Sequence, residues 1–284
     1  MSYRIFVESS ADLSPALRAE YKIDLVPMQF SKDGQEYNCE ETPISEFYQM
    51  MRNGAHMTTS AANISVYTDA FEPVLKAGED ILMVAFSSGL SSSCNNARLA
   101  AEELQASYPD RKIIVVDSLC ASMGHGLLAY HVAKKRDEGA AIEEAASYCE
   151  ELIPHLCHSY TVDTLKYLHR GGRVSTTVAI AGAVLGIKPV MFMNDEGKLV
   201  ACGKVRGRKA SLEDLADKLK THAIDAENQT VFISHGDCID DAKALADMLK
   251  PYVKEIVIGD IGPLIGSHSG PGTVALFYVG THRV

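Results

Sequence analysis

The feature that most constrains this chain is an alternation of short β-branched runs with helical patterns through its first half. Strand candidates fall at Arg4–Val7, Asp80–Phe86, Lys112–Val116 and Ser159–Val162. Helix candidates fall at Pro15–Tyr21, Ile44–Met51, Ser65–Lys76, Ser93–Ser107, Met123–Glu138 and Ile142–Leu152. Strand then helix, repeated, makes a parallel sheet with helices on both faces, because a parallel neighbour is reached only by a crossover. Ligands of such sheets sit beyond the carboxyl ends of the strands. The loops there are Glu8-Ser9-Ser10-Ala11-Asp12, Ser87-Ser88-Gly89-Leu90-Ser91-Ser92-Ser93 and Asp117-Ser118, all rich in hydroxyls.

The second half has a different rhythm. Ile187–Met193 and Lys198–Val205 flank Asn194-Asp195-Glu196-Gly197, a hairpin signal. A helix at Leu212–His222, a strand at Thr230–Ser234, a helix at Asp240–Leu249 and strands at Glu255–Gly259 and Val274–Tyr278 follow. The weakly charged stretch from Val174 carries Ser175, Thr176, Thr177, Lys188 and Pro189, a poor spanning segment, and reads as a buried helix at Thr176–Val184. The expectation is an α/β chain of two domains: a Rossmann-like parallel layer over residues 1–162 and an α+β domain over 163–284. A length of 284 residues suffices for two cores.

A net charge of −10 argues against a general nucleic-acid coat, which needs clustered cations. That total conceals a division, since Lys166 to Lys209 carries nine cations against two acids, a net +7, and leaves −17 elsewhere. Such a basic segment suits an acidic partner, nucleotide phosphates or a membrane surface. The seven cysteines are scattered without a CxxC pair, so neither a disulfide framework nor a zinc site is suggested. Met1 to Glu8 runs straight into a strand with no leader pattern, and a reducing cytoplasm is expected.

Ser87 to Ser93 joins a buried strand to a helix, so its hydroxyls and the free N–H groups of the helix start point to an anion site, with ordinary N-capping as the alternative. Thr58-Thr59-Ser60 admits the same two readings. Gly124-His125-Gly126 imitates a dinucleotide fingerprint but starts past its strand, and helix packing explains it better. His155, Cys157 and His158 alternate in direction, which favours strand packing over a metal site. There is no Walker A lysine motif, and Gly266-Ser267-His268-Ser269-Gly270 places His where a nucleophile elbow needs Ser. Ile261 to Gly272, with Gly-Pro pairings around His268, reads as a tightly shaped loop.

Six segments in order resemble the DegV family over essentially the whole chain. They are Glu8-Ser9-Ser10-Ala11-Asp12-Leu13, Thr59-Ser60-Ala61-Ala62-Asn63, Ser87 to Ser93, Val162 to Arg173, Ile187-Lys188-Pro189 and Ile265 to Gly272. Ala61-Ala62 stand where the family has Gln-Pro, and Ser92 where it has Gly. The resemblance implies a bacterial lipid-binding protein with no catalytic machinery and no cofactor or metal of its own. It would hold a long-chain fatty acid in a tunnel between the domains and present it to a separate ATP-using kinase subunit, which makes the acyl phosphate for phospholipid synthesis. It also implies that Thr59 and Ser91 hold the carboxylate, helped by the backbone at Ser92, with Ser60 also at the ligand and His268 close to the head group, and that Arg170 and Arg173 lie near the portal and the docking partner, and it allows transient contact with a membrane surface.

The energetics agree with a lipid carrier. Each buried methylene is worth about 0.8 kcal/mol, so roughly fifteen of them supply on the order of 12 kcal/mol before association costs. Neutral donors then need only satisfy the carboxylate, which is prohibitively costly to bury unpaired. The competing readings are a stand-alone hydrolase using Ser91 and His268, and a pure interaction module.

Overall fold

The computed structural model describes residues 2–175 and 186–284. The helix expected at Thr176–Val184 lies outside the described residues. Three sheets organise the rest. The first has the order β2-β1-β6-β7, all parallel, built from β1 (Tyr3–Glu8), β2 (Ile23–Val26), β6 (Asp80–Ala85) and β7 (Ile113–Asp117). Every residue of β6 is buried, as an inner parallel strand covered on both faces requires. The helix α1 (Pro15–Tyr21) follows β1 and starts where Ser14 Oγ accepts the Leu17 N–H at 3.3 Å with Pro15 in the first turn.

A small antiparallel sheet, with β3 (Gln29–Lys32) between β4 (Gln35–Asn38) and β5 (Met57–Thr59), was not expected from the sequence. It packs with α2 (Ile44–Arg52), α3 (Ile64–Lys76) and α4 (Ser93–Ser107) in a core on one side of the parallel sheet. On the other side lie α5 (Ser122–Asp137) and α6 (Ile142–Leu152).

The third sheet, of six strands in the order β10-β9-β8-β13-β11-β12, is antiparallel except at its β11/β12 edge. It contains β8 (Leu156–Thr161), β9 (Ile187–Met193), β10 (Leu199–Arg206), β11 (Thr230–His235), β12 (Glu255–Asp260) and β13 (Val274–Val279). The strand expected at Ser159–Val162 is therefore an inner strand of this sheet, paired with β9 and β13 and not with the parallel layer. The chain passes from one sheet to the other between α6 and β8, ahead of the 162/163 boundary. Helices α7 (Lys166–Arg170), α8 (Arg208–His222), α9 (Ile239–Leu249) and α10 (Pro263–Ser269) complete the described α-helices, with α8 and α9 on the outer face of the six-stranded sheet.

One helix joins the two large sheets. From Ser122 to Tyr130 every residue of α5 is buried, and the same core cluster reaches Val84 of β6 and Phe277 of β13. The glycines that imitate a dinucleotide fingerprint make this possible. A Cβ on Gly124 would collide with His158 Nε2 and stand 2.6 Å from Phe277 Cδ1, and one on Gly126 would stand 2.7 Å from Leu13 Cδ2. The segment from Ile261 to Gly272, expected as a tightly shaped loop, contains α10: Pro263–Ser269 is helical, and a Cβ on Gly266 would press on Phe47 and Tyr48.

Candidate functional site

A cavity of about 830 Å³, counting the space at its mouth, opens between these layers. Thr59, Ser60, Ser91, His268 and Arg173 line it, together with a wall that is mostly apolar, including Phe86, Met193, Leu199, Leu264 and Phe277. Its polar groups come from distant parts of the chain. Thr59 ends β5 opposite Phe30 of β3, and α10 packs on that small sheet. Asp12 holds the start of α10, because its Oδ1 accepts the Gly262 N–H at 2.9 Å. His268 thereby reaches Thr59, with Nε2 and Oγ1 2.7 Å apart.

Burial, with the charges of Arg173 and Arg170 adding, pushes the His268 pKa down from its ordinary 6.5 to about 4, so the ring is neutral at pH 7. Its Nδ1 is buried without a partner and packs against Gly171, where any side chain would collide with it. With the proton on Nε2, the imidazole donates to Thr59 Oγ1, and the threonine O–H is left to donate into the cavity.

The serine loop works in the same sense. Ser93 Oγ accepts the Ala62 N–H at 3.3 Å and lies 2.9 Å from Ser91 Oγ, which accepts the Ser93 N–H at 3.2 Å. With the Ser93 O–H donated to Ser91, the Ser91 O–H is left for a ligand. Ser93 is buried, whereas Ser92 is exposed and does not line the cavity. The supporting hydroxyl therefore comes from the residue after Ser92, where the start of α4 turns the chain inward. Ser87 is turned away as well, donating to Gly197 O at 2.8 Å. Among the described residues no hydrogen bond joins Ser91 to His268, whose Nε2 pairs with Thr59 instead.

The first hydroxyl-rich loop is scaffold. Ser9 Oγ accepts the Met28 N–H at 2.9 Å, and Glu8, fully buried, takes the Tyr67 O–H at 2.8 Å and the Phe86 N–H at 2.9 Å. Burial raises the Glu8 pKa from 4.5 to about 7. The two arginines expected at a docking face separate. Arg170 is exposed beside the Tyr167 ring, its guanidinium 5.3 Å from the ring centre. Arg173 is half-buried in the cavity wall and donates to Gly171 O at 2.5 Å and Leu90 O at 2.8 Å. Desolvation lowers its pKa. The head of the cavity thus combines neutral hydroxyl donors with one guanidinium, a set suited to an anion.

A family model described as "Uncharacterised protein, DegV family" matches residues 2–281. The chain belongs to the DegV family. A DegV domain-containing protein of Clostridium perfringens is 42% identical over 97% of both chains. Among solved structures, a DegV family protein of Thermus thermophilus, described by its fatty acid binding, is 27% identical over 99% of this chain and 100% of that one, with a TM-score of 0.90. A Streptococcus pneumoniae fatty acid kinase B3 protein loaded with linoleic acid shares the fold at 21% identity, covering 98% of this chain and 99% of that one, with a TM-score of 0.87. Among the described residues of this DegV protein no helix is long and apolar enough to cross a membrane.

Proposed function

We propose that this DegV protein binds a long-chain fatty acid with its tail in the apolar part of the cavity and its carboxylate against Thr59 and Ser91. The observation that carries the proposal is that one mostly apolar cavity is lined by two hydroxyls, Thr59 and Ser91, each hydrogen-bonded to a neighbour, His268 Nε2 and Ser93 Oγ. Arg173 adds a positive charge to the same cavity. The fatty acid described for the Thermus relative supports the same ligand class.

The bound acid is then presented to a separate ATP-dependent kinase subunit that converts the carboxylate to an acyl phosphate. Neutral donors suit this step, because they hold the carboxylate while leaving oxygen lone pairs free to attack a γ-phosphate. The family resemblance brings in the kinase, and the protein neighbour named fatty acid kinase B3 has the same fold. Exposed Arg170, on the basic segment, belongs to the docking face and not to the ligand site. Mixing protein, fatty acid, ATP and kinase subunit, and trapping the product with hydroxylamine, tests the step. Acyl hydroxamate should require all four components and fall for Arg170→Glu with fatty-acid affinity unchanged. Tight fatty-acid binding with no hydroxamate would leave a carrier and remove the kinase.

A further inference from the structure

Arg283 is 5% exposed, yet among the described residues none of its hydrogen-bond partners is a carboxylate. Its Nε donates to Ile153 O at 2.9 Å, Nη1 to Leu119 O at 2.8 Å and Asn194 O at 2.9 Å, and Nη2 points to Ser118 O at 3.5 Å and Cys120 Sγ at 3.4 Å. These atoms belong to three separate segments: the turn before β8, the loop between β7 and α5, and the first residue of the β9–β10 hairpin. Burying a guanidinium is costly, and packing alone would be served by an apolar side chain. What a guanidinium adds is a rigid fork whose donors bind several acceptors at once.

Two of those segments lead directly into residues that line the cavity. Ala121 follows the loop that Arg283 grips, and Met193 and Leu199 flank the gripped hairpin. Phe86, Ala121 and Met193 form one small apolar cluster with Leu199 against it. The hairpin also leans on the serine loop, since Ser87 Oγ donates to Gly197 O and a Cβ on Gly89 would stand 2.7 Å from that same oxygen. Leu119 adopts a left-handed φ of 48°, a strained conformation for leucine that the surroundings must enforce.

We propose that Arg283 is a positioning residue of the ligand site, whose guanidinium clamps the Asn194–Gly197 hairpin to the Ser118–Ala121 segment and so sets the width of the acyl cavity. Through Gly197 and Ser87 the same clamp steadies the loop that carries Ser91. This role rests on the fatty-acid reading, and it makes Arg283 a determinant of acyl shape although it touches no ligand.

The test uses Arg283→Met and Arg283→Lys in the full chain, with amide hydrogen exchange and competitive binding of palmitate and oleate. Exchange at Asn194–Leu199 should accelerate by about tenfold while amides of β6 and β11 keep their protection. The oleate-to-palmitate affinity ratio should rise by about fivefold, since a kinked chain gains more from a wider gap. Lysine should fail to restore either property, because it lacks the fork. Exchange that rises uniformly, with an unchanged ratio, would reduce Arg283 to general stability and overturn the proposal. Should Arg283→Met not fold, Ser87→Ala releases the other end of the hairpin and must reproduce the localised exchange; a wild-type pattern there also overturns it. If the unaltered protein takes up neither acid, the fatty-acid reading falls, while the exchange measurement still decides whether Arg283 is the clamp.

Discussion

Replacing Ser91 with alanine isolates one hydrogen bond to the carboxylate. Ser91 Oγ already accepts from the Ser93 N–H and stands 2.9 Å from Ser93 Oγ, and with Ser93 as the donor of that pair its own proton is left for a ligand. A hydrogen bond to a charged partner contributes about 1.5 to 3 kcal/mol, or roughly ten- to 150-fold in Kd. The free protein loses less, because Ser93 Oγ keeps the Ala62 N–H and can turn its own proton elsewhere. Tail burial is untouched by the substitution. Titration with palmitate and with the fatty alcohol of equal length separates head from tail. The unaltered protein should prefer the acid, and Ser91→Ala should reduce that preference by roughly ten- to 150-fold, with Thr59 and Arg173 keeping the remainder. An acid-to-alcohol ratio that does not move would refute the assignment of Ser91 to the carboxylate.

Two further outcomes concern the scaffold. Gly124→Ala would force a Cβ onto His158 and Phe277, an overpacking that costs about 1 to 3 kcal/mol against a helix-propensity gain of at most about 1, so the thermal midpoint should fall. A rise would show that α5 is not wedged between the sheets. Burial raises the Asp12 pKa from 3.8 to about 8. The unfolded chain then releases this proton near pH 4 and the folded chain only near pH 8, so the contribution is complete below about pH 4 and is lost as pH rises to about 8. Asp12→Asn should remove that slope from urea-unfolding curves, and a stability difference from the unaltered protein that stays constant across pH 4 to 8 would contradict it.

How much of this was legible depended on length and burial. The apolar run from Ile81 to Ala85 in β6 and the 15-residue α4 announce themselves, since each is long enough to stand out. Strands β3, β4 and β5 have three or four residues each, and in β3 only Phe30 is buried, so no alternation marks the sheet that carries Thr59. Glycine misled at α10: Gly266 serves close packing against Phe47 and Tyr48, and only Gly270 and Gly272, at φ of 79° and 80°, serve a turn. The strand β8 reads like its predecessors, and nothing local reveals that its partners come from the far end of the chain. At the site, the hydroxyl-rich stretches marked Thr58–Ser60 and Ser87–Ser93 as anion-site candidates with capping as the alternative, and the family likeness singled out Thr59, Ser91 and His268. Ser93 was hidden by sharing its stretch with two other serines. Arg173 was hidden because a cation in a basic segment reads as surface, and its half-buried place in the wall follows from the Gly171 and Leu90 carbonyls that anchor it.

The central claim is that the cavity holds a fatty acid. Mass spectrometry of lipid extracted from the purified native protein tests it most directly. The expected result is a free long-chain fatty acid at close to one equivalent per chain, displaced by added palmitate. Protein that carries no acyl chain and takes up none on titration would contradict the account.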